Sequence, residues 1–412
     1  MKPMGAIPAD FAGTAPLLIA GRTAEVWIAE AGDTPLFVYD AGVVRRRIAL
    51  FRKAMPAGVD LHYAVKANPF APLVAAIGPW VDGLDVASKG ELDLVMAISG
   101  KAAGSISFAG PGKRDDELDL ALRAGATINL ESEGEADRAL AIAGRLGVTP
   151  RLAVRVNPDI ELRGSGLRMG GRASPFGVDA ERAAALVARI IEAGADWQGL
   201  HIFAGSQALD AQAIIETQAA TLALAARLSE KAGAAPPLVN LGGGFGIPYF
   251  PADKPLDVTA VGAALTRALA DRPAILRDTR FAIELGRWLV GECGVYLTRV
   301  VDRKVSRGET FLVVDGGLHH QLAASGNFGT VVRRNYPVAV ATAVPDSPTE
   351  TVTVVGCLCT PLDLLADKVE LPVAQPGDVI AIFMAGAYGA SASPAAFLAH
   401  PPARELLVGL AG

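Results

Sequence analysis

The stretch VDLHYAVKANP, Val59 to Pro69, decides how this chain is read. Val59, Leu61, Tyr63 and Val65 alternate with Asp60, His62, Ala64 and Lys66. Alternation with period two marks a strand with two distinct faces. The strand closes on a lysine where a core strand would carry valine. A lone strand-end lysine ordinarily snorkels to water, so the rest of the chain decides what Lys66 does.

Seven further strand-like runs follow, at 81–86, 105–109, 127–131, 151–156, 199–204, 238–241 and 280–284. Amphipathic segments such as DDELDLALRAG, EADRALAIAGRLG and AERAAALVARIIEAG separate them. Each has apolar residues at three-to-four spacing and ends near Gly, a helix stop. Eight strands alternating with helices predict a (β/α)8 barrel, an α/β barrel over 42–288. From about residue 290 strands follow one another through turns, which predicts a mainly antiparallel β domain. The run AEVWIAEAGDTPLFVYD has the same character and is expected to join it, so residues 1–41 with 289–412 form the second domain.

The 412 residues carry a net charge of −5 and no basic run, which argues against nucleic acid as a partner. No segment reads as a signal peptide or membrane span. The three cysteines, Cys293, Cys357 and Cys359, do not suggest a disulfide framework, and a cytoplasmic location is expected. Cys357-x-Cys359 lacks zinc-finger spacing and HExxH is missing, so no metal site is read from the sequence.

Barrel active sites gather at the C-terminal strand ends. There the sequence places Lys66, Asp85 and Ser88, the GPGK run ending at Lys113, Glu131, Arg155 and Asn157, His201 with Gly205–Gln207, the GGGFG run Gly242–Gly246, and Glu284 with Arg287. A purely structural core would show Val, Ile and Leu, because buried charges are costly unless paired or used. GGGFG is neither a Walker A loop nor a dinucleotide fingerprint. By itself it is as consistent with a plain turn as with a ligand. After strand seven of a barrel it reads as a phosphate cradle, to which Ser206 can add a hydroxyl. A cradle, a carboxylate one strand away and a lysine amine together suit pyridoxal 5'-phosphate.

The series HYAVKANP, DVASKGEL, VRVNP, GLHIFAGSQ, NLGGGFGIPY, ELGRWLVG, GCLCTPLDLL and GAYG resembles the fold-type III pyridoxal-phosphate decarboxylases, the group of diaminopimelate and ornithine decarboxylases. The likeness runs collinearly from about residue 35 to 400. SISFAGPGK, GSGLRMGG, DGGLHHQLAASGNFG and CTPLDLLADKVELP look closest to a subgroup of exosortase-associated decarboxylases and enzymes acting on a glutamyl group held by a carrier protein.

The resemblance implies a Schiff-base role for Lys66 and pairing of Glu284 with the ring nitrogen. It assigns the phosphate to Gly243, Gly244 and Ser206, with Arg287 and Tyr388. It sets Asp85, Glu91 and Arg155 around the ring. Asp315, Thr360 and Asp363, with Arg287, are expected on the substrate. Cys359 is expected as proton donor, reaching with Asp363 into a neighbouring subunit of a homodimer. Three departures stand out. Phe203 occupies the place of the family's ring-stacking His, with His201 two residues away. Thr360 follows the cysteine where diamine-producing relatives carry an acid, which argues against a cationic distal group on the substrate. ELGR replaces EPGR. The expected reaction is decarboxylation of an amino acid or of a carrier-protein-linked aminoacyl group. A free diamino-acid decarboxylase, an amino-acid racemase and a non-catalytic cofactor carrier are the alternatives. Racemases of this fold usually place an arginine at the ring nitrogen, so Glu284 argues against that reading. The basic loop Arg163–Arg172 suits a carboxylate, a phosphate or a carrier protein, and equally a solvated loop.

Overall fold

The structure, a computed structural model, describes residues 1–159, 167 and 168, 173–326 and 334–410. The chain divides into two compact units. The first comprises Met1–Arg46, Ile247–Lys254 and Arg287–Gly412; the second comprises Arg47–Gly246 and Pro255–Gly286. The basic loop Arg163–Arg172 and the end of the ASGNFG motif fall largely outside the described residues.

The second unit is a closed parallel barrel. Its strands are β1 (Val59–Ala64), β2 (Gly83–Val86), β3 (Ile106–Phe108), β4 (Thr127–Leu130), β5 (Arg151–Asn157), β6 (Asp196–Ile202), β7 (Leu238–Asn240) and β8 (Arg280–Leu285). Neighbours pair in chain order, and β8 returns to β1 with Glu284 opposite His62. Intervening helices stop at the expected glycines, and serines start two of them, which takes Ser88 out of the strand-end set. Ser88 caps Lys89–Ile98 by accepting from Glu91 N, and Ser132 caps Glu133–Leu146 by accepting from Glu135 N. Gly125 and Gly147 close their helices in the left-handed conformation that side chains resist.

The barrel interior departs from the branched apolar layers usual in this fold. His62, Asp85, Asn129, His201, Asn240 and Glu284 are all buried there. A cavity of about 160 Å³, bordered by His62, His201 and Asn240, continues down to Arg151, Gln198 and Arg280 at the strands' N-terminal ends.

The first unit is built on the long strand Gly294–Ser306. It pairs antiparallel with Leu36–Asp40, Glu309–Val314 and Val379–Ile382. Two pairs are parallel: Glu309–Val314 with Thr349–Val355, and Leu36–Asp40 with Arg404–Val408. The N-terminal run corrects one expectation. Ala24–Ala31 is a helix rather than a strand, because Ala24, Trp27 and Ile28 form a buried stripe at helical spacing. Only Leu36–Asp40 enters the sheet. Ile247–Lys254 belongs to this unit through Tyr249, whose ring lies 4.8 Å from that of Tyr336.

Candidate active site

β1 ends at Ala64, and a single 3-10 turn, Val65–Ala67, carries Lys66. The lysine therefore does not point into the packed interior, as the alternation suggested. It is exposed, with Nζ 5.9 Å from the centre of the Phe203 ring. Burial raises the Glu91 carboxyl and the Lys66 charge only partly offsets it, while the same charge helps lower Glu284.

Glu284 is buried near the end of β8. Burial alone would raise its carboxyl, but His201, with Lys66 and Arg155 further off, holds it down to about 2. His201 Nε2 lies 2.8 Å from Oε2, and Asn240 Nδ2 donates to the same oxygen at 3.3 Å. Among the described residues neither contact nor any other reaches Oε1. His201 Nδ1 is buried and has no partner among the described residues.

The glycine run lies directly against this acid. Asn240 Oδ1 accepts from Gly242 N, and Gly242 O accepts from Glu284 N. A Cβ on Gly243 would stand 1.8 Å from Glu284 O, so no larger residue fits. Gly242 and Gly244 have φ of +69° and +80°, where a side chain is strained. The N–H groups of Gly243 and Gly244 find no acceptor among the described residues. Ser206 sits on the preceding loop, in the short strand Gly205–Ser206 paired with Leu167–Arg168.

A family model described as pyridoxal-dependent decarboxylase, pyridoxal binding domain, matches residues 41–291. The chain belongs to this decarboxylase family. An L-glutamyl-[BtrI acyl-carrier protein] decarboxylase of Niallia circulans is 37% identical over 91% of this chain and 89% of its own length. Diaminopimelate decarboxylase of Archaeoglobus fulgidus is 32% identical over 95% and 91%. The diaminopimelate decarboxylase of M. jannaschii, solved with L-lysine, superposes with a TM-score of 0.86 at 25% identity, covering 98% of this chain and 92% of that one. The barrel with a separate, mostly antiparallel sheet is the architecture of these decarboxylases.

The cofactor of this decarboxylase family fits the residues present. Two unpartnered backbone N–H groups in a glycine turn make a bare anion cradle. An ionised carboxylate with one oxygen uncommitted suits a protonated ring nitrogen, and the exposed Lys66 is an amine of the kind an aldehyde needs.

Several expected residues are otherwise engaged. Arg155 donates to Glu131 Oε1 at 2.8 Å and covers the Phe176 ring. Glu131 also accepts from Gly110 N and Gly177 N, so it organises loops rather than facing a ligand. Lys113 is buried on Glu135 Oε1 at 2.6 Å, Gly110 O and Asn129 O, which removes it from the strand-end set. Asp85 Oδ1 lies 3.3 Å from His62 Nδ1, while its Oδ2 is buried without a partner. Glu91 completes the helix cap by accepting from Ala87 N.

In the first unit, Arg287 donates to Tyr249 Oη at 2.7 Å and lies over the Tyr388 ring, 4.6 Å from its centre. Cys359 is exposed and Thr360 half-buried, on a turn that Asp363 ties down by accepting from Leu318 N and Leu358 N. Asp315 accepts from Thr34 Oγ1, Thr298 Oγ1 and Arg299 N. Both acids, expected on the substrate, have their oxygens occupied within the sheet unit; Asp363 acts as a brace for the Cys359 turn. His62, Asn129 and Asn240 were not foreseen. Their signal was available: His62 shares the Lys66 face of the alternating run, and Asn240 directly precedes the glycine turn.

Proposed function

We propose that this decarboxylase acts on an amino acid whose far end is acidic or tethered to a carrier protein, not on a free diamino acid. The observation that carries this reading is Thr360. It follows Cys359 where the resemblance predicts an acid in diamine-producing enzymes, so nothing at that position attracts a distal ammonium. The 37% identity to a carrier-linked glutamyl decarboxylase supports it.

Pyridoxal 5'-phosphate, when bound, supplies an electron sink for the pair released as carbon dioxide leaves. Lys66 would hold the cofactor through its side-chain amine. Glu284 Oε1 keeps a proton on the ring nitrogen, and His201 and Asn240 keep Glu284 ionised and oriented. Gly243 N, Gly244 N and Ser206 Oγ bind the phosphate, a role we extend to Arg287 and Tyr388 on the resemblance. Phe203 offers a ring face and Asp85 and Arg155 a polar border. Cys359 donates a proton to the substrate carbon. We infer a homodimer in which Cys359 serves the neighbouring site; exposed Leu362, Phe397 and Leu398 support an interface there. The unpaired cysteines suit a reducing cytoplasm, and no helix among the described residues is long and apolar enough to cross a membrane.

Carbon dioxide release from a panel of free and carrier-linked amino acids tests the substrate assignment. Release from glutamyl-carrier or free acidic substrates is expected. Release confined to diaminopimelate or ornithine would overturn it.

A further inference from the structure

Three segments of the sheet unit bring together a cluster that decarboxylation does not use. His319 follows the strand Glu309–Val314, Cys357 follows Thr349–Val355, and His400 follows the turn Phe397–Ala399. One ligand-capable atom from each lies within 4.8 Å of the others. Cys357 Sγ stands 4.0 Å from either nitrogen of His400, and the His319 and His400 rings are 5.1 Å apart.

His319 is the decisive member. Its side chain is fully buried, yet among the described residues neither Nδ1 nor Nε2 has a hydrogen-bond partner. A buried imidazole with two unsatisfied nitrogens is costly, and such groups normally find a donor, an acceptor or an ion. The adjacent His320 shows the contrast: Tyr296 Oη contacts its Nδ1 and Pro401 O its Nε2.

We propose that His319, Cys357 and His400 form a binding site for one Zn2+ ion, with a fourth position open to water. The donor set is two imidazoles and one thiolate, which suits a borderline-soft cation. The nearby carboxylate, Asp363, is already engaged by Leu318 N and Leu358 N, so the site lacks the oxygen ligands that calcium or magnesium needs. Tetrahedral zinc with ordinary bond lengths requires ligand separations of about 3.4–3.6 Å. The half-buried His400, on the surface turn, needs to move by about an ångström to reach them. Binding forms a Zn–S bond, breaks the Cys357 S–H bond and releases that proton to solvent. The ligands come from three distant segments, so no spacing motif announces them. Because Cys357 lies two residues before Cys359, the ion would clamp the turn that carries it.

The test uses the cofactor-loaded full chain, dialysed against a chelator and titrated with Zn2+, with bound metal measured by atomic emission. Co2+ replaces zinc to report thiolate ligation by its charge-transfer band. One ion per chain is expected, with a raised Tm. Cys357→Ser and His400→Gln should each weaken binding by at least about tenfold and abolish the Tm rise. Cys359→Ser should bind as the parent does. His400→Gln lies at the surface and keeps the test valid if the Cys357 variant misfolds. Failure to bind Zn2+, equal binding by both ligand variants, or loss of binding in Cys359→Ser would overturn the proposal. None of these readouts depends on catalysis.

Discussion

His201 Nε2 lies 2.8 Å from Glu284 Oε2, inside the barrel and one strand beyond the glycine turn. The imidazole keeps a buried acid ionised. Replacing Glu284 with Gln keeps the shape and removes the charge. A fall in kcat of about 10²–10³-fold is expected, with cofactor still bound, as judged by its absorbance. Unchanged kcat would remove Glu284 from the chemistry.

The same pair sets a pH dependence. The Glu284 carboxyl lies at about 2 in the folded protein against an ordinary 4.5. Between those values the unfolded chain binds more protons than the folded one, so stability rises with pH across that window. Its contribution is complete above pH 4.5 and is lost as pH falls toward 2. Urea midpoints of the parent and Glu284→Gln should therefore converge as pH drops from 5 to 2.

Gly243→Ala puts a methyl 1.8 Å from Glu284 O. Backbone must move to admit it, at a cost of about 1–3 kcal/mol. Loss of cofactor affinity should accompany the lower Tm, because the cradle and the acid share that strand contact. Equilibrium dialysis with pyridoxal phosphate measures it.

Lys113→Met leaves Glu135 buried without its cation. The expected cost is roughly 3–5 kcal/mol in denaturant unfolding. Joint replacement of Lys113 and Glu135 by apolar residues should recover much of it. Cofactor absorbance per folded chain should be unchanged in both, because Lys113 Nζ is spent on Glu135, Gly110 O and Asn129 O.

Asp363→Ala strips the acceptor from Leu318 N and Leu358 N. Each buried donor left unmade costs about 1–3 kcal/mol. Stability should fall by a similar amount, and kcat should fall with it as the Cys359 turn loosens. A variant as active and stable as the parent would show that the brace is dispensable.

The barrel was legible because alternation and glycine stops are local: β1 through β8 follow the predicted runs closely, and Gly125 and Gly147 end their helices where expected. The N-terminal helix Ala24–Ala31 was missed because a short apolar run has two periodicities, and only packing of Trp27 and Ile28 selects one. Side-chain partnership was not legible. Glu131 and Arg155 both close strands, as a catalytic pair would, yet they bind each other. Asp315 and Asp363 read as free acids until the backbone donors facing them are known. The His319, Cys357 and His400 cluster is invisible in sequence because each member comes from a different turn.

Lys66 carries the central claim, that this chain holds pyridoxal phosphate through one amine. Borohydride reduction of the cofactor-loaded protein, followed by peptide mapping, tests it directly. A single phosphopyridoxyl-modified peptide containing Lys66 is expected, absent from Lys66→Ala. Irreversible labelling of Lys66→Ala at the parent level, or of another lysine in the parent, would contradict it.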